Sequence, residues 1–527
     1  MRSIFVVGSI IVVCLLVSLA MYVSPLFLFA FIGVGPVIAL GIADMLQVRQ
    51  TIRRNFPVVG NFRYLFEMIR PEINQYFVES NSDGVPFSRE QRSIVYQRSK
   101  LDLDSLPFGT QKNVYEVGYE WLTHSLAPVH VDPKSLRVLV GGRECKQPYS
   151  ASIFNVSAMS FGALSKNAIM ALNGGAKIGG FYHNTGEGGL SPYHLSPGGD
   201  LVWQIGTGYF SCRDEQGNFS PELFHERATL SQIKMIEIKL SQGAKPSHGG
   251  ILPAKKVSPE VAAIRLVPLG KDVLSPPAHT AFDSPIGLLN FVQKLRELSG
   301  GKPVGFKLCI GKRREFMALA KAMVQTQILP DFITIDGGEG GTGAAPLEFS
   351  NHVGYPLREG LIFVHNTLVG MNLRKDIRLI ASGRNITAFD LVTRFAIGAD
   401  ICNSARGMML ALGCIQALRC NSNHCPTGVA TQNPGLVAGL DVTDKRRRVA
   451  NFQAQTVGAV AELVGAMGLK SASDIRPFHV VRRTSAHQVQ HYGEIYEFLE
   501  PGVLLQEVPP IYKYAFENSR PDSFAAI

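Results

Sequence analysis

Short apolar runs that alternate with helical patterns limit the fold of this chain more than any other feature of its sequence. Beyond residue 150, eight runs rich in β-branched residues alternate with longer segments of helical periodicity. They span residues 154–160, 180–186, 235–240, 272–275, 304–310, 332–338, 377–383 and 399–405. Continuous apolar runs indicate strands buried on both faces, and the intervening helices indicate parallel βα units. The pattern predicts an α/β fold, a (β/α)8 TIM barrel.

Nearly every predicted strand is followed by a loop rich in glycine or serine. Barrels of this kind bind their ligands at the carboxyl ends of the strands. The chain has 52 glycines among 527 residues, which is more than the usual share of about 7%. We therefore expect loops whose backbone lines a ligand site at that end of the barrel.

The composition excludes several other classes of protein. Hydrophobic residues make up 46% of the chain and charged residues 18%, which excludes an extended disordered chain. The net charge is +10, yet the densest basic run, at residues 445–448, is typical of a solvated helix face. We expect no nucleic-acid partner, because the charged fraction is low and no block of five or more like charges is present. The basic balance also suits a domain held against an anionic membrane leaflet.

Two uncharged apolar segments open the chain, at residues 4–23 and 26–43. Each is long enough to cross about 30 Å of hydrocarbon. A cleaved signal peptide is the alternative, with residues 18–20 as the cleavage site, but the second segment argues against it. Arginines flank the pair and none lies between the segments. The positive-inside rule therefore predicts a multi-pass hairpin in the inner membrane, in contact with lipid, with the catalytic domain in the cytoplasm.

The chain is expected to have four parts. Residues 1–46 form the transmembrane hairpin, and residues 47–127, which are polar and punctuated by prolines, form a helical collar. Residues 128–467 form the barrel, including a cysteine-containing segment at 414–425. Residues 468–527 are expected to pack on the barrel as a C-terminal extension.

The seventh and eighth predicted strands each end in a loop that contains glycine and arginine. Loops at these positions commonly bind a phosphate through backbone N–H groups, and arginine adds charge-assisted hydrogen bonds. A third glycine-rich loop, DGGEGGTGAAP, follows the sixth strand. The candidate cofactor-binding residues of the three loops are Gly337, Gly338, Gly341, Thr342, Ser382, Gly383, Arg384, Ala405, Arg406 and Gly407. A phosphate-bearing cofactor is indicated, and ordinary turns with surface arginines are the alternative.

Three cysteines lie close together in the sequence, at Cys414, Cys420 and Cys425. Thiolates grouped in this way bind soft metal ions or iron–sulfur clusters. Three cysteines without a fourth favour a three-iron cluster, whereas His424 could complete a Cys3His zinc site. Buried structural thiols are the remaining alternative.

Four charged residues lie in or near the glycine-rich loops in the first half of the barrel: Glu187, Lys239, Lys245 and Arg265. The three cations would pair with the carboxylates of an anionic substrate, and Glu187 would position the reacting group. We predict these four as the catalytic residues. A set of unrelated surface charges is the alternative.

Several stretches together resemble the FMN-binding synthase domain of glutamate synthases. They are SAMSFGALS (157–165), NTGEGG (184–189), IEIKLSQGAKP (236–246), GGTGAAP (340–346) and CPTGVATQ (425–432). The resemblance implies FMN, a 3Fe-4S cluster, and a reaction in which reduced flavin delivers a hydride to 2-iminoglutarate formed from 2-oxoglutarate and ammonia.

The resemblance also implies roles for particular residues. Those that would contact the flavin are Ser157, Met159 and Ser160, together with Lys307 near its ring and Gly383 and Arg406 near its phosphate. Lys239 and Arg265 would hold the carboxylates of 2-oxoglutarate, and Glu187 would lie close to the reacting carbon.

The sequence also departs from that family. No glutamine-hydrolysing domain with an N-terminal cysteine is visible, so we expect ammonia to come free or from a partner subunit. No second nucleotide-binding domain is visible, so we expect electrons from ferredoxin, a reductase subunit or a membrane donor. After QGAKP the chain reads SHGGILPA, which puts Ile251 where the family has a glutamine expected to contact the substrate.

These features predict a membrane-anchored oxidoreductase of the glutamate synthase type, which forms glutamate from 2-oxoglutarate. One alternative is the same machinery acting on another amino or keto acid, as in an N-methylglutamate synthase, and Ile251 motivates it. The other alternative is a non-catalytic membrane subunit that transfers electrons.

Overall fold

The computed structural model describes residues 1–525, so the last two residues of the expected C-terminal extension lie outside the described residues. The chain divides into two compact units, Met1–Arg89 and Glu90–Ile527. The expected collar at residues 47–127 is therefore shared between the two units.

The N-terminal unit is helical. Its helices are α1 (Arg2–Tyr22), α2 (Phe31–Leu46), α3 (Thr51–Asn55) and α4 (Gly60–Ile73), with a 3-10 turn at Pro25–Ala30 and a π turn at Asn74–Val78. Two segments, Arg2–Tyr22 and Pro25–Leu46, are long and apolar enough to cross a membrane. Gly41 of α2 allows close contact with α1, because a Cβ there would lie 2.0 Å from the ring of Phe5. The two apolar helices expected from the sequence are confirmed.

The C-terminal unit contains a closed barrel of eight parallel strands, which confirms the predicted (β/α)8 barrel. The strands outside the barrel are β1 (Glu120–Leu122), β2 (Arg137–Val140), β3 (Tyr149–Ser152), β8 (Ile251–Leu252), β9 (Val273–Leu274), β14 (Val480–Arg483) and β15 (Val489–His491). The barrel strands are β4 (Phe154–Val156), β5 (His183–Asn184), β6 (Leu201–Ile205), β7 (Ile233–Lys239), β10 (Val304–Leu308), β11 (Phe332–Asp336), β12 (Arg378–Ser382) and β13 (Ile401–Ser404).

Helices follow most of the barrel strands. They and the other helices of this unit are α5 (Arg89–Lys100), α6 (Lys166–Gly179), α7 (Pro192–Leu195), α8 (Pro221–Ala228), α9 (Pro259–Arg265), α10 (Pro285–Leu298), α11 (Arg313–Thr326), α12 (Leu347–His352), α13 (Leu357–Gly370), α14 (Ala388–Ala396), α15 (Arg406–Ala411), α16 (Pro434–Ala438), α17 (Val442–Ala466), α18 (Tyr492–Ile495) and α19 (Pro510–Glu517). Hydroxyl side chains cap several of them: Ser165 begins α6, Ser284 begins α10 and Thr387 begins α14. These caps fix where each strand-end loop stops and the next helix starts.

One of the predicted strands was wrong. Residues 272–275 lie outside the barrel, where β9 pairs with β8 in an antiparallel hairpin and Leu274 is 68% exposed. The barrel strand that the sequence missed is β6, in which all five residues are buried. It follows a loop rich in glycine and proline, and the connection from β5 contains only the four-residue helix α7, so the long helical pattern that separates the other strands is absent there.

The amino ends of the barrel strands are closed by the antiparallel hairpin β2–β3. Val140, Tyr149 and Ala151 of the hairpin form one buried cluster with barrel residues that include Phe332 and Ile401, each the first residue of its strand. This plug leaves the carboxyl ends of the strands as the end available to a ligand.

Residues from the expected collar and the expected extension meet in one small sheet. β1 pairs with β14, and β14 pairs with β15, all antiparallel. Glu120 of this sheet forms an ion pair with Arg358 of α13, with 2.9 Å between Oε1 and Nη1. The chain before the barrel and the chain after it are thus joined to each other and to a barrel helix.

Candidate active site at the carboxyl ends of the strands

Charged side chains lie at the carboxyl ends of neighbouring barrel strands. Lys239 ends β7, Asp336 ends β11, and Lys307 is the next-to-last residue of β10. β10 pairs with both of the other strands, and Lys239 is opposite Lys307 in the register. The sequence placed the two lysines at this end, and the fold brings them side by side.

Glu187, in the loop after β5, forms an ion pair with Lys239, with 2.6 Å between Oε1 and Nζ. Burial alone would raise the pKa of Glu187, but Lys239, Lys245 and Arg265 lower it below its ordinary value. The carboxyl group is therefore ionised at neutral pH. Three cations around one carboxylate leave an excess of positive charge, which suits a ligand with two carboxylates.

Arg265, the last residue of α9, is buried, and its Nε has no hydrogen-bond partner among the described residues. Its Nη2 donates to the carbonyl of Phe161 at 3.2 Å, and its guanidinium lies 5.1 Å from the centre of the Phe210 ring. Burial lowers the pKa of Arg265 to about 10, and Glu187 partly offsets this effect. A buried arginine with an unused donor is suited to binding an anion.

The pKa values of two buried lysines of the site shift in opposite directions. Burial lowers the pKa of Lys245, and Glu187 offsets only part of this effect. Lys307 lies 3.3 Å from Asp336, and its pKa is raised because Asp336 and Glu237 outweigh its burial. Lys307 is therefore a fixed positive charge, whereas Lys245 releases a proton more readily.

A buried tyrosine and histidine, which the sequence did not indicate, support Lys239. The hydroxyl of Tyr209 accepts the N–H groups of Thr280 and Ala281, each at 3.1 Å. It therefore donates to Nδ1 of His279 at 3.0 Å, and Nε2 of His279 donates to the carbonyl of Lys239 at 2.9 Å. Burial lowers the pKa of His279 to about 4, so the ring is neutral at pH 7. Tyr209 follows β6, the strand that the sequence missed.

The loops after β12 and β13 meet beside the glycine-rich loop after β11. Gly383 has a φ of +143°, which only glycine adopts readily. The side chain of Arg406 lies over Gly341, where a Cβ would approach it within 2.8 Å, and its Nη2 donates to the carbonyl of Glu339 at 2.7 Å. Burial, followed by repulsion from Arg384, lowers the pKa of Arg406 to about 10. Two guanidinium groups this close fit a phosphate group.

The other predicted cofactor-binding residues of these loops differ in whether their polar groups are free to contact a cofactor. Gly337 and Gly338 donate their N–H groups to backbone carbonyls, at 2.9 and 2.7 Å. Thr342 lies exposed at the rim. Ala405 and Gly407 flank the arginine at the start of α15. The first two glycines therefore shape the loop, and their N–H groups are already bonded within the protein.

The loop after β4 lies at the same end of the barrel. The hydroxyl oxygens of Ser157 and Ser382 are 3.3 Å apart, which joins this loop to the one after β12. Gly186 allows the loop after β5 to pack closely, because a Cβ there would lie 2.9 Å from the backbone nitrogen of Ser160 and 3.1 Å from that of Met159. The three residues predicted to lie against a flavin are thus brought to the site of the other candidates.

The three cysteines lie on the segment after α15. Burial raises the pKa of Cys414 to about 12, and the nearby thiols of Cys420 and Cys425 add to this effect. Nζ of Lys256 donates to the carbonyl of Cys420 at 2.8 Å and to that of Ala163, in the loop after β4, at 3.2 Å. Lys256 therefore ties the cysteine segment to the loop that begins the barrel.

Within residues 1–525, no group of three or more His, Cys, Asp or Glu side chains could hold a metal ion. The zinc alternative with His424 therefore has no geometric support there, since its ligands must converge at about 2.0–2.3 Å from one ion. In a cluster each cysteine binds a separate iron, so its sulfurs do not converge on one atom. The donor chemistry of three mutually interacting thiols on one segment fits such a cluster.

Residues 128–470 match the family model of the conserved region in glutamate synthase. The glutamate synthase large subunit-like protein YerD of Bacillus subtilis is 37% identical over 500 residues, which cover 87% of this chain and 93% of YerD. The archaeal glutamate synthase (NADPH) of Methanocaldococcus jannaschii is 37% identical over 323 residues, which cover 61% of this chain and 60% of that protein.

The glutamate synthase (NADPH) large chain of Bacillus subtilis is 31% identical over 347 residues, which cover 64% of this chain but only 21% of that protein. Solved structures of flavocytochrome b2 and mandelate oxidase have TM-scores of 0.40, at 14% and 15% identity, a likeness too weak to support a function. With its conserved region matched over residues 128–470 and a relative 37% identical along most of both chains, this protein belongs to the glutamate synthase family.

Proposed function

We propose that this chain is an oxidoreductase that forms glutamate from 2-oxoglutarate and ammonia with reduced FMN. The observation that carries the proposal is the ion pair of Glu187 and Lys239 at the open end of the barrel, with Lys245 and Arg265 close enough to lower the pKa of Glu187. Two relatives, the archaeal glutamate synthase (NADPH) of Methanocaldococcus jannaschii and the archaeal-type glutamate synthase (NADPH) of Thermotoga neapolitana, support the same reaction.

The charges of the pocket match the substrate. 2-Oxoglutarate carries two carboxylates, and the guanidinium of Arg265 binds one of them through its unused Nε donor. Lys239 binds the other and remains beside Glu187, which is ionised and accepts a hydrogen bond from the incoming nitrogen. Ammonia condenses with the ketone and releases water. Lys245, whose pKa burial lowers, then supplies the proton that accompanies the two electrons of the reduction.

FMN, when bound, supplies those two electrons as a hydride. Arg384 and Arg406 would hold its phosphate, whose charge would offset the repulsion between their guanidinium groups. Lys307, held as a cation by Asp336, would stabilise negative charge on the flavin. Ser157, Met159 and Ser160, whose loop is joined to the loop of Ser382, would contact it.

Cys414, Cys420 and Cys425 hold a 3Fe-4S cluster in this proposal, supported by their shared segment and their mutual electrostatic effect. The electrons come from a donor outside the chain, which is ferredoxin, a reductase subunit or a membrane donor. Ammonia also comes from outside the chain.

α1 and α2 anchor the protein in the inner membrane, with residues 47–127 as the connection to the barrel at 128–467 and residues 468–527 as its extension. Both segments are long and apolar enough to cross a membrane, and α1 has no buried residue. Arg49, Arg53 and Arg54 follow the pair, which favours a cytoplasmic location for the catalytic unit.

A second candidate function is the reductive amination of the same keto acid with methylamine, which gives N-methylglutamate. The hairpin that carries Ile251 lies against the site, because a Cβ at the preceding Gly250 would be 2.9 Å from Oε1 of Glu187. Ile251 is the next residue, and an apolar side chain where the family has a glutamine expected to contact the substrate favours a methylated amine over ammonia.

The test uses the full chain, purified in detergent without oxygen. Flavin and iron are measured first, and about one FMN and about three irons per chain are expected. Dithionite reduces the protein, and 2-oxoglutarate with ammonium is expected to reoxidise the flavin, as followed by its absorbance. Lys239→Met is expected to slow this reoxidation. Its matched control is Lys234→Met, because Lys234 lies on the same strand as Lys239 at the opposite end of the barrel.

The outcomes separate the candidates. Reoxidation that requires methylamine instead of ammonium would establish the second candidate. Cofactors present with no reoxidation by either amine would overturn both aminases and indicate another substrate. A protein that binds neither FMN nor iron would overturn the enzymatic proposal and favour the non-catalytic subunit.

A further inference from the structure

We infer that α4 is an amphipathic helix that lies on the anionic lipid surface of the membrane crossed by α1 and α2. This inference rests on the proposed membrane anchor. The residues on one face of α4, at spacings of three and four, are Phe62, Leu65, Phe66, Ile69 and Ile73. A helix with one apolar aromatic face, in a segment of net positive charge, is suited to lie in the membrane interface.

The residues that the structure describes leave the apolar face of α4 largely exposed. Gly60 is the only buried residue of this 14-residue helix. Phe62 is 54% exposed and Phe66 62% exposed, and Phe77 in the following π turn is 80% exposed. A helix of this length without a buried face is marginal in water. An apolar environment next to this face would stabilise the helix.

The segment that contains α4 has a net positive charge. The polar side of α4 carries Arg63 and Arg70 together with two glutamates, and Arg49 and Arg54 are exposed ahead of it. Over residues 47–73 five arginines outnumber two glutamates. Anionic lipid headgroups attract basic residues at the membrane surface. A second copy of this unit would bring the same arginines together and repel them, so the charge favours lipid as the occupant.

A buried carboxylate holds the start of α4 at the end of α2. Asp44, in the last turn of α2, is fully buried, and its Oδ1 accepts from Nε of Arg53 at 2.8 Å. Its Oδ2 accepts the N–H of Val58 at 3.0 Å and Nδ2 of Asn61, the second residue of α4, at 2.5 Å. The amphipathic helix therefore starts where the proposed span ends, which is the depth of the headgroups.

The test places a fluorescent tryptophan on each face of α4 in the full chain, reconstituted in nanodiscs that contain phosphatidylglycerol and lipids brominated along the acyl chain. Phe66→Trp reports the apolar face, and Glu67→Trp is the matched control one residue along on the polar side. Leu15→Trp, exposed in the middle of α1, reports the anchor itself. The signal of the chain's two natural tryptophans, measured on the unchanged protein, is subtracted.

Bromine is expected to quench Leu15→Trp and Phe66→Trp and to leave Glu67→Trp bright. Quenching of Leu15→Trp without quenching of Phe66→Trp would overturn the interfacial helix and leave the anchor intact. If none is quenched, the anchor fails and the inference fails with it. In nanodiscs without anionic lipid, quenching of Phe66→Trp is expected to fall, and an unchanged value would overturn the role of the arginines.

Discussion

The two ends of the barrel are held together by different interactions. At the amino end, the hairpin β2–β3 packs Val140 and Tyr149 against Phe332 and other apolar residues in one buried cluster. At the carboxyl end, the buried groups are charged, with Lys239 paired to Glu187 on one side and Lys307 paired to Asp336 on the other. Residues are buried at both ends, but only the carboxyl end buries charged groups, which water solvates better than the protein interior does.

This difference separates stability from function. Apolar packing contributes directly to the free energy of folding. Buried ion pairs contribute little, because the cost of removing charges from water offsets their attraction. The charged end is therefore explained by what it binds, whereas the apolar end is explained by the fold. Substitutions at the two ends are expected to affect different measurements.

The largest expected effect is on stability, at the amino end. Phe332→Ala removes a fully buried ring from the plug cluster and is expected to lower the free energy of unfolding by about 3–5 kcal/mol. Leu139→Ala is the control, because Leu139 lies on the same hairpin but is 56% exposed. Denaturant unfolding of the two variants measures the difference. Equal losses would contradict the view that the buried cluster, rather than the hairpin as such, carries the stability.

The second prediction concerns pH and shows that the carboxyl end has its own influence on stability. The pKa of His279 is lowered from 6.5 to about 4 by burial, so the unfolded chain takes up a proton at a higher pH than the folded chain. The stabilisation of the folded state by the neutral ring of His279 is present above pH 6.5 and is lost as the pH falls towards about 4. That difference in pKa corresponds to roughly 3 kcal/mol.

His279→Gln can keep both hydrogen bonds without the titration, so its stability is expected to fall less steeply with acid than that of the unchanged protein. His487→Gln, at an exposed position, is the control and is expected to leave the slope unchanged. Thermal unfolding at several pH values between 4 and 7 measures the slopes. Parallel curves for all three proteins would show that the ring of His279 does not titrate as its burial implies.

The same contrast explains how much the sequence could predict. Strands such as β11 and β12 are continuous apolar runs followed by glycine, so both the barrel and the end that carries Gly383 could be predicted. β6 was missed because the connection before it contains only the four-residue helix α7, so the long helical pattern that separates the other strands is absent there. Its buried Gln204, which donates to Glu237 at 2.6 Å, is not the cause, since β7 was predicted although it contains Glu237.

The hydrogen bonds that link Tyr209 and His279 to the backbone of Lys239 could not be predicted from the sequence either. Tyr209 and His279 are separated by 70 residues, and their hydrogen bond exists only after the loops following β6 and β7 have folded against each other. Charged residues such as Glu187 and Arg265 could be grouped in advance because they lie in loops after strands, whose ends meet at one place in a barrel. Pairing between two neutral side chains leaves no such pattern.

The third prediction tests the carboxyl end by activity. Lys239→Met removes the partner of Glu187 and a contact to the substrate carboxylate, and it is expected to lower kcat/KM for 2-oxoglutarate by about 10- to 150-fold. Lys234→Met on the same strand removes a half-exposed pair with Asp200 at 3.7 Å and is expected to change little. Steady-state kinetics with both variants measure the ratio. Similar losses in the two would mean that the strand, and not the charge at its carboxyl end, is what activity requires.

The smallest expected effect concerns the loops after β12 and β13. Arg406→Gln removes one of two guanidinium groups that repel each other, and Arg384 remains to hold a phosphate, so the dissociation constant for FMN is expected to rise by about tenfold. Arg378→Gln is the matched control, because Arg378 begins β12 at the opposite end and bonds to the carbonyl of Leu139 at 3.1 Å. Fluorescence titration of the flavin-free protein with FMN measures both constants. A larger loss of FMN affinity with Arg378→Gln than with Arg406→Gln would contradict this prediction, since the apolar end of the barrel would then control cofactor binding.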